Sequence, residues 1–527
     1  MSAATNIAQP IFSPALIPPV DEFRSCMGRI SRQSSICFAG SLFAAAAGYF
    51  FKVYLARALG AEALGLYALG MTIVGFVGVF NSLGLPTAAV RFVAAYAAKG
   101  NPEKLASFLR GSVTLLSALN LAFAFVVLLA GPWIASRFYH SPRLDRYLWA
   151  FAVIMAVGGL NLFLGQVMAG YRDVARRTII TSFIGTPANI MIAVALISLG
   201  FGLTGYLVAQ VISSLLILCL FIALVWKLTP GSAQKKSTLY FEREVVTFSM
   251  AAYGMATLQF VLAQADMVVL GHYLEASLVG IYAIAMALVG VVPVVLDSVN
   301  QIFSPIISEL HAAENRMLLQ QLYSTLTKWI LILTFPLALS MIVFAGGFMS
   351  IFGAGFRSGA AVLVIGVIGQ IVNCAVGSVG FLLLMSGNQT ELLRIEAVNA
   401  ALLVGLNVFL VPRFGIAGAA VAATLTAATT NLWALKSVRR LLKIFPYHSG
   451  YFKLIAPAFG AALGLVALAR VCAGFARQWE IAGAGLVLAY AIFGGTVFLF
   501  ALDQQDRTLG KLAWSRLTLG VRKLVMA

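Results

Sequence analysis

Apolar residues run through this chain in blocks of roughly 20, the length that spans a bilayer core, separated by short polar or glycine-containing breaks. Fourteen such blocks are expected as membrane helices: 34–56, 66–90, 111–130, 148–169, 178–199, 203–226, 246–270, 279–302, 327–348, 360–385, 395–411, 416–433, 452–469 and 481–502. The predicted fold is all-α and polytopic. Trp149, Trp226, Trp329, Trp433 and Trp479 fall near block ends, where amphipathic rings settle at a membrane interface.

The blocks repeat. Leu55-Ala-Arg57-Ala-Leu59-Gly60-Ala-Glu62-Ala-Leu-Gly65-Leu-Tyr67-Ala68 reads as the end of one helix, a tight turn and the start of the next. The pattern returns 215 positions later, with Gly65, Tyr67, Ala68 and Met71 falling on Gly280, Tyr282, Ala283 and Met286. Met168-Ala-Gly170 answers Met385-Ser-Gly387, and Phe201-Gly-Leu-Thr-Gly205 answers Phe414-Gly-Ile-Ala-Gly418. Each unit therefore holds six helices. An even number makes the two lobes parallel repeats about an axis along the membrane normal. The expected organisation is a cytoplasmic tail (1–33), an N-lobe (34–226), a polar linker (227–245), a C-lobe (246–440), two additional helices (441–502) and a basic tail (503–527). That basic tail suits a short helix lying on anionic lipid.

Composition narrows the class. Hydrophobic residues make up 61% and charged residues 10%, with a mean hydropathy of +0.95, far from soluble globular proteins. The net charge of +18 belongs to a membrane topology, since no basic, aromatic-bearing soluble domain exists to bind nucleic acid. About three quarters of the 36 Lys and Arg residues fall on one side if the N-terminus is cytoplasmic, so both termini are expected there. Five scattered cysteines and four isolated histidines imply no disulfide framework and no metal site. The proline-interrupted first 33 residues lack the pattern of a signal peptide.

The glycine-rich pattern (Leu59-Gly60-x4-Gly65-Leu66-Tyr67-Ala68, then Gln264-Ala-Asp266-x3-Leu270-Gly271-x8-Gly280-Ile-Tyr282-x2-Ala285, with Phe-Gly-x2-Gly closing each unit) resembles the polysaccharide biosynthesis transporter family. These are the Wzx-type lipid-linked oligosaccharide flippases of the multidrug/oligosaccharidyl-lipid/polysaccharide superfamily. The resemblance covers about residues 34–440. It implies export of an undecaprenyl-pyrophosphate-linked saccharide, for lipopolysaccharide or exopolysaccharide, across a bacterial inner membrane. It also implies two lobes around a cavity open alternately to each side, other polysaccharide assembly proteins as partners, and no cofactor.

Charged residues inside membrane helices are costly and so are candidates for function. Lys52 and Asp266 lie at matching depths in the two units, and with Gln264 they are expected to close the outer side of the cavity. A coupling Na⁺ or H⁺ is the alternative role for Asp266. Asn81 in the second helix, and Asp297 and Asn300 in the eighth, sit lower beside Pro86 and Pro293, which weaken their helices. They are expected to form a bendable, cavity-facing pair of segments. Arg57 and Arg91 are candidates to attract a pyrophosphate. A cation-coupled multidrug antiporter of the same superfamily, or a membrane polymerase or ligase, are the competing functions. The outer loops are short and offer no paired carboxylates, nucleophile–base set or phosphate-cradling loop, which counts against an enzyme.

Overall fold

The computed structural model describes residues 20–229, 241–447, 449–472 and 478–500. Within them the long helices run in the order α1 (Val20–Ser82), α2 (Leu85–Ala98), α3 (Pro102–Trp133), α4 (Leu148–Gly170), α5 (Val174–Thr178), α6 (Thr186–Ser198) and α7 (Gly202–Leu228). The second unit holds α8 (Arg243–Tyr273), α9 (Ala276–Val289), α10 (Val294–Ala312), α11 (Arg316–Val343), α12 (Ala345–Ser350), α13 (Ala360–Val376), α14 (Val379–Met385) and α15 (Gln389–Leu441). α16 (Ile455–Val471) and α17 (Gln478–Phe500) follow. No strand occurs among the described residues.

Ten helices there are long and apolar enough to cross a membrane, or eleven with the bent pair α9–α10 taken as one span. Two are too long for a single crossing. The apolar part of α1, Ala39–Ser82, has 44 residues. At 1.5 Å per residue that is about 66 Å, against a hydrocarbon core of about 30 Å. α15 has 53 residues. Each contains one glycine with non-helical backbone, Gly60 (φ 79°, ψ 177°) and Gly415 (φ 58°, ψ −138°), so each is two helices joined by a tight turn. With those divisions, and the 17-residue α16, a helix stands at every one of the fourteen expected blocks.

The duplicated Phe-Gly-x2-Gly sequences make the same turn twice. Gly202 and Gly415 both have positive φ, 53° and 58°, which side chains rarely adopt. Gly205 and Gly418 then let the returning helix touch the outgoing one. A Cβ on them would lie 2.9 Å from Leu196 Cβ and 2.4 Å from the Leu410 carbonyl oxygen.

Each lobe has its own apolar core. Phe92, Phe108, Phe163 and Phe221 centre the first, and Phe303, Ile307, Tyr323 and Leu382 the second. A third cluster joins them near Gly60, where Leu55, Leu66 and Leu69 meet Val279, Tyr282 and Leu296. α16 and α17 lie against the second lobe only. Phe335 and Phe493 stack at 5.7 Å, and Tyr490 Oη donates to the Leu333 carbonyl over 2.7 Å.

Two expectations change. Helix α1 starts at Val20, so part of the expected tail is helical, while the apolar part of the helix starts at Ala39. Lys328, counted among the charges of the cytoplasmic side, is 1% exposed inside the second lobe. The centre of the linker (230–240) and the basic tail lie outside the described residues.

Candidate transport cleft between the two lobes

The lobes meet most closely where the repeat is most obvious. The part of α1 after Gly60 runs against α9 with the two backbones touching. A Cβ on Gly65 would lie 1.6 Å from the Ala276 carbonyl oxygen, and one on Gly280 would lie 2.0 Å from that of Ala61. Ala61 and Ala276, like Gly65 and Gly280, are 215 apart. The contact is therefore reciprocal, and the pseudo-two-fold axis passes through it. Around it Arg57 Nε donates to the Ile351 carbonyl over 2.8 Å, and Tyr49 Oη to that of Ala287 over 3.2 Å. Gly271 admits Leu69 and Tyr139, whose atoms would stand 2.3 and 2.6 Å from a Cβ there. This seam seals the Gly60 end.

Toward the opposite, basic end the segments flanking this contact turn to different lobes. The portion of α1 before Tyr49 turns to its own lobe: Phe43 stacks on Phe183 at 5.4 Å, and Thr178 Oγ1 donates to Cys37 Sγ over 3.4 Å. α10 turns to the other, burying Phe303 and Ile307 in the second core. A break at Gly290–Pro293 bends α9 against α10 by 51°. A second break, at Leu83 (φ 46°) and Gly84 (φ 70°), separates α1 from α2 just ahead of Pro86. The two interruptions expected from the prolines are thus present, and beyond them α10 packs on the second lobe while the start of α1 packs on the first.

On the other front of the molecule α2 and α8 stay together. A Cβ on Gly84 would lie 2.1 Å from the Ser249 carbonyl oxygen. Arg91 pairs with Glu244 at 2.7 Å and lies over the Phe248 ring at 4.8 Å. Lys104 pairs with Glu242, which also accepts from Tyr96 Oη over 3.0 Å. The Lys104 ammonium first, and the Tyr96 hydroxyl next, hold the Glu242 carboxyl below its usual range. This clasp of charges was not legible in the sequence, because its members lie up to 153 residues apart.

The expected site residues divide. Lys52 is exposed, with its ammonium 5.2 Å from the Tyr49 ring. It lies one turn from Tyr49, whose hydroxyl bonds the Ala287 carbonyl of α9. Asp266 does not answer it: among the described residues no ion pair joins the two. Both Asp266 oxygens are taken inside its own lobe, by Tyr282 Oη at 2.6 Å and the Met267 N–H at 2.8 Å. A carboxylate withdrawn from water takes the nearest donors, and here these are a buried tyrosine and the backbone. Tyr67, the counterpart of Tyr282, is likewise held by Gln210, whose Nε2 donates over 2.9 Å. The expected ionic closure is therefore replaced by a glycine-to-backbone seam. Gln264 is half-buried on α8.

Asn81 is buried, not cleft-facing. Its Nδ2 donates to Asn120 Oδ1 over 2.5 Å, and Asn120 in turn donates to the Leu116 carbonyl over 2.7 Å, inside the first lobe. A buried amide needs such a partner. Asp297 is exposed near the α9–α10 break, while Asn300 is buried with an unpartnered Oδ1. Arg57 and Arg91 are both engaged by protein groups, Arg57 across the lobes and Arg91 in the clasp. Neither stands ready for a phosphate. The repeat marks Gly65 and Gly280 as equivalent positions without showing that they meet.

The family model described as polysaccharide biosynthesis protein matches residues 54–355. A probable low-salt glycan biosynthesis flippase of Haloferax volcanii is 24% identical over 408 residues, 76% of this chain and 82% of that protein. An uncharacterized membrane protein of Methanocaldococcus jannaschii is 24% identical over 363 residues, 65% and 71% of the two. Among solved structures, the lipid II flippase MurJ in an inward closed conformation superimposes with a TM-score of 0.69 at 15% identity, covering 88% of this chain and 98% of that one. An inward-facing multidrug resistance MATE family transporter of the MOP superfamily gives 0.58 at 17%, covering 75% and 94%. At such identities the likeness is one of fold. With more than half its length matched, the chain belongs to the polysaccharide biosynthesis protein family.

Proposed function

We propose that this protein is a flippase that moves a lipid-linked glycan precursor from one membrane leaflet to the other by alternating access. One observation carries the mechanism: the lobes are sealed at the Gly60 end by the Gly65–Gly280 seam while α1 and α10 diverge toward the basic end. The likeness to a glycan biosynthesis flippase supports the cargo. The basic end is the cytoplasmic one, in a bacterial inner membrane whose anionic lipids hold it there. A polyprenyl-pyrophosphate saccharide enters the cleft with its headgroup while its tail stays in lipid. Lys52, at the top of the cleft, attracts the pyrophosphate through charge-assisted bonds. The inside-negative potential favours outward movement of such an anion by about 2.3 kcal/mol per charge per 100 mV.

The test is made in cells lacking the protein, by measuring lipid-linked saccharide on each leaflet. Accumulation on the inner leaflet, cleared by wild type and by Lys52→Arg but not by Lys52→Ala, supports both cargo and residue. An unchanged lipid-linked pool, with altered sensitivity to cationic compounds, overturns the reading in favour of a multidrug antiporter.

A further inference from the structure

Two of the four histidines, isolated in sequence, come together at the Gly60 end. His140 lies in the segment after α3, on the first lobe. His272 lies in the last turn of α8, 132 residues away. Their bonds are reciprocal. His140 Nδ1 meets the His272 carbonyl oxygen at 3.2 Å, and His272 Nδ1 meets the Phe138 carbonyl oxygen at 2.8 Å. A carbonyl only accepts, so each Nδ1 must carry its proton and each Nε2 is left to take another. The rings are 5.6 Å apart, flanked by Phe138 at 4.8 Å and Tyr273 at 4.7 Å from His272. His140 also holds a left-handed backbone, φ 48°, which a residue with a Cβ keeps only where its surroundings impose it.

We propose that His140 and His272 form a proton-binding latch that opens the outer end of the transporter when the outer compartment is acid. The two bonds tie the first lobe to α8. α8 also packs on the second lobe through α15, with Ala265 against Leu403 and Ala422. Opening the seam while α8 stays with α15 therefore breaks the latch. Imidazole is the side chain whose charge changes between pH 5 and 8. Protonation of both Nε2 atoms leaves the two Nδ1–H bonds formed but sets two cations across the lobes with their rings 5.6 Å apart, and that repulsion disfavours the closed state. The other charged groups on the two segments are Arg137, Asp145 and Arg146 on one, and Glu275 beyond Tyr273 on the other, while Arg143 is paired with Glu62. Arg137 and Arg146 balance Asp145 and Glu275, so these groups add no net charge. The latch faces the outer side only on the flippase orientation proposed above, but its opening by acid does not depend on the cargo.

The experiment uses the full chain in liposomes, with native cysteines replaced and spin labels at Ser198→Cys and Ser358→Cys, both exposed at the Gly60 end on different lobes. Lowering the pH from 7.5 to 5.5 should shift the closed-to-open ratio about tenfold, the effect of one pK unit of differential proton affinity. The His140→Asn/His272→Asn protein keeps an N–H near each Nδ1 but cannot titrate. It should stay closed at both pH values. The His140→Ala/His272→Ala protein should be more open at both. An identical pH response in wild type and the Asn protein would place the proton elsewhere, and no response in wild type would make the pair a fixed strut. Either overturns the latch, and neither bears on whether a lipid-linked glycan is carried.

Discussion

Gly65→Ala adds one methyl group at the tightest point of the molecule. Its Cβ would stand 1.6 Å from the Ala276 carbonyl oxygen and 3.0 Å from the Gly280 nitrogen, where ordinary contact begins at 3.4 Å. The two backbones must therefore move apart by about 1.8 Å, in an interior packed as densely as an organic crystal. Neither obstructing atom is a flexible side chain that could swing away. Overpacking of this kind costs about 1–3 kcal/mol. Because the contact exists only while the Gly60 end is closed, that cost falls on the closed state, and a difference of this size shifts a two-state ratio about 5- to 150-fold. Spin labels at Ser198→Cys and Ser358→Cys should report a larger separation in the variant. Gly78→Ala is the control, on the same helix with nothing within 4 Å of an added Cβ. It should leave the distances unchanged and raise the melting temperature slightly, since alanine is favoured over glycine in a helix by roughly 0.5–1 kcal/mol. Equal distance distributions in Gly65→Ala and Gly78→Ala would refute the seam.

Tyr282→Phe should destabilise the detergent-solubilised protein by about 1.5–3 kcal/mol, since it removes a hydrogen bond to a carboxylate. Asp266→Asn keeps an acceptor for Tyr282 and should melt closer to wild type, as thermal unfolding would show. Gly415→Ala places a side chain at φ 58°, ψ −138° and should cost about 1–3 kcal/mol in the same assay. Arg91→Glu should loosen the clasp by at most about 1 kcal/mol, because both partners are more than half exposed, and Arg91→Glu/Glu244→Arg should restore it; hydrogen exchange at the start of α8 reads both. The Glu242 carboxyl is held low when folded, so its contribution is present above the ordinary glutamate range and is lost as pH falls through that range and below it. Exchange at the start of α8 should accordingly speed up on acidification, and Glu242→Gln should remove that pH dependence.

The parts of the fold that depend on local pattern were legible in the chain. Hydrophobic blocks located the helices, and the repeat located the Phe-Gly-x2-Gly turns, because a positive φ at Gly202 and Gly415 leaves a mark in any sequence. The breaks beside Pro86 and Pro293 are of the same kind. What depends on which way a side chain turns was not legible. Lys52 and Asp266 share a depth, but depth says nothing of direction around the helix. Asp266 turns to Tyr282, sixteen residues on, while the Lys52 ammonium lies over the Tyr49 ring. Asn81 turns to Asn120 for the same reason, that a buried polar group goes where a partner is. The repeat pointed to the right glycines without saying that Gly65 and Gly280 lie against each other. Periodicity shows that two positions are equivalent, and only the folded chain shows that they touch. The histidines, isolated in the sequence, carried no signal at all.

The measurement that bears most directly on the whole account is flipping by the purified protein in liposomes. A fluorescent polyprenyl-pyrophosphate glycan is placed in both leaflets, and its accessibility to a membrane-impermeant quencher or glycosidase is followed with time. The account predicts protein-dependent loss of the protected inner pool, slowed at least tenfold by Gly65→Ala, which disturbs the seam, and by Lys52→Ala, which removes the cation above the cleft. A pool that stays protected in the presence of folded protein, while a cationic dye is moved instead, would contradict it.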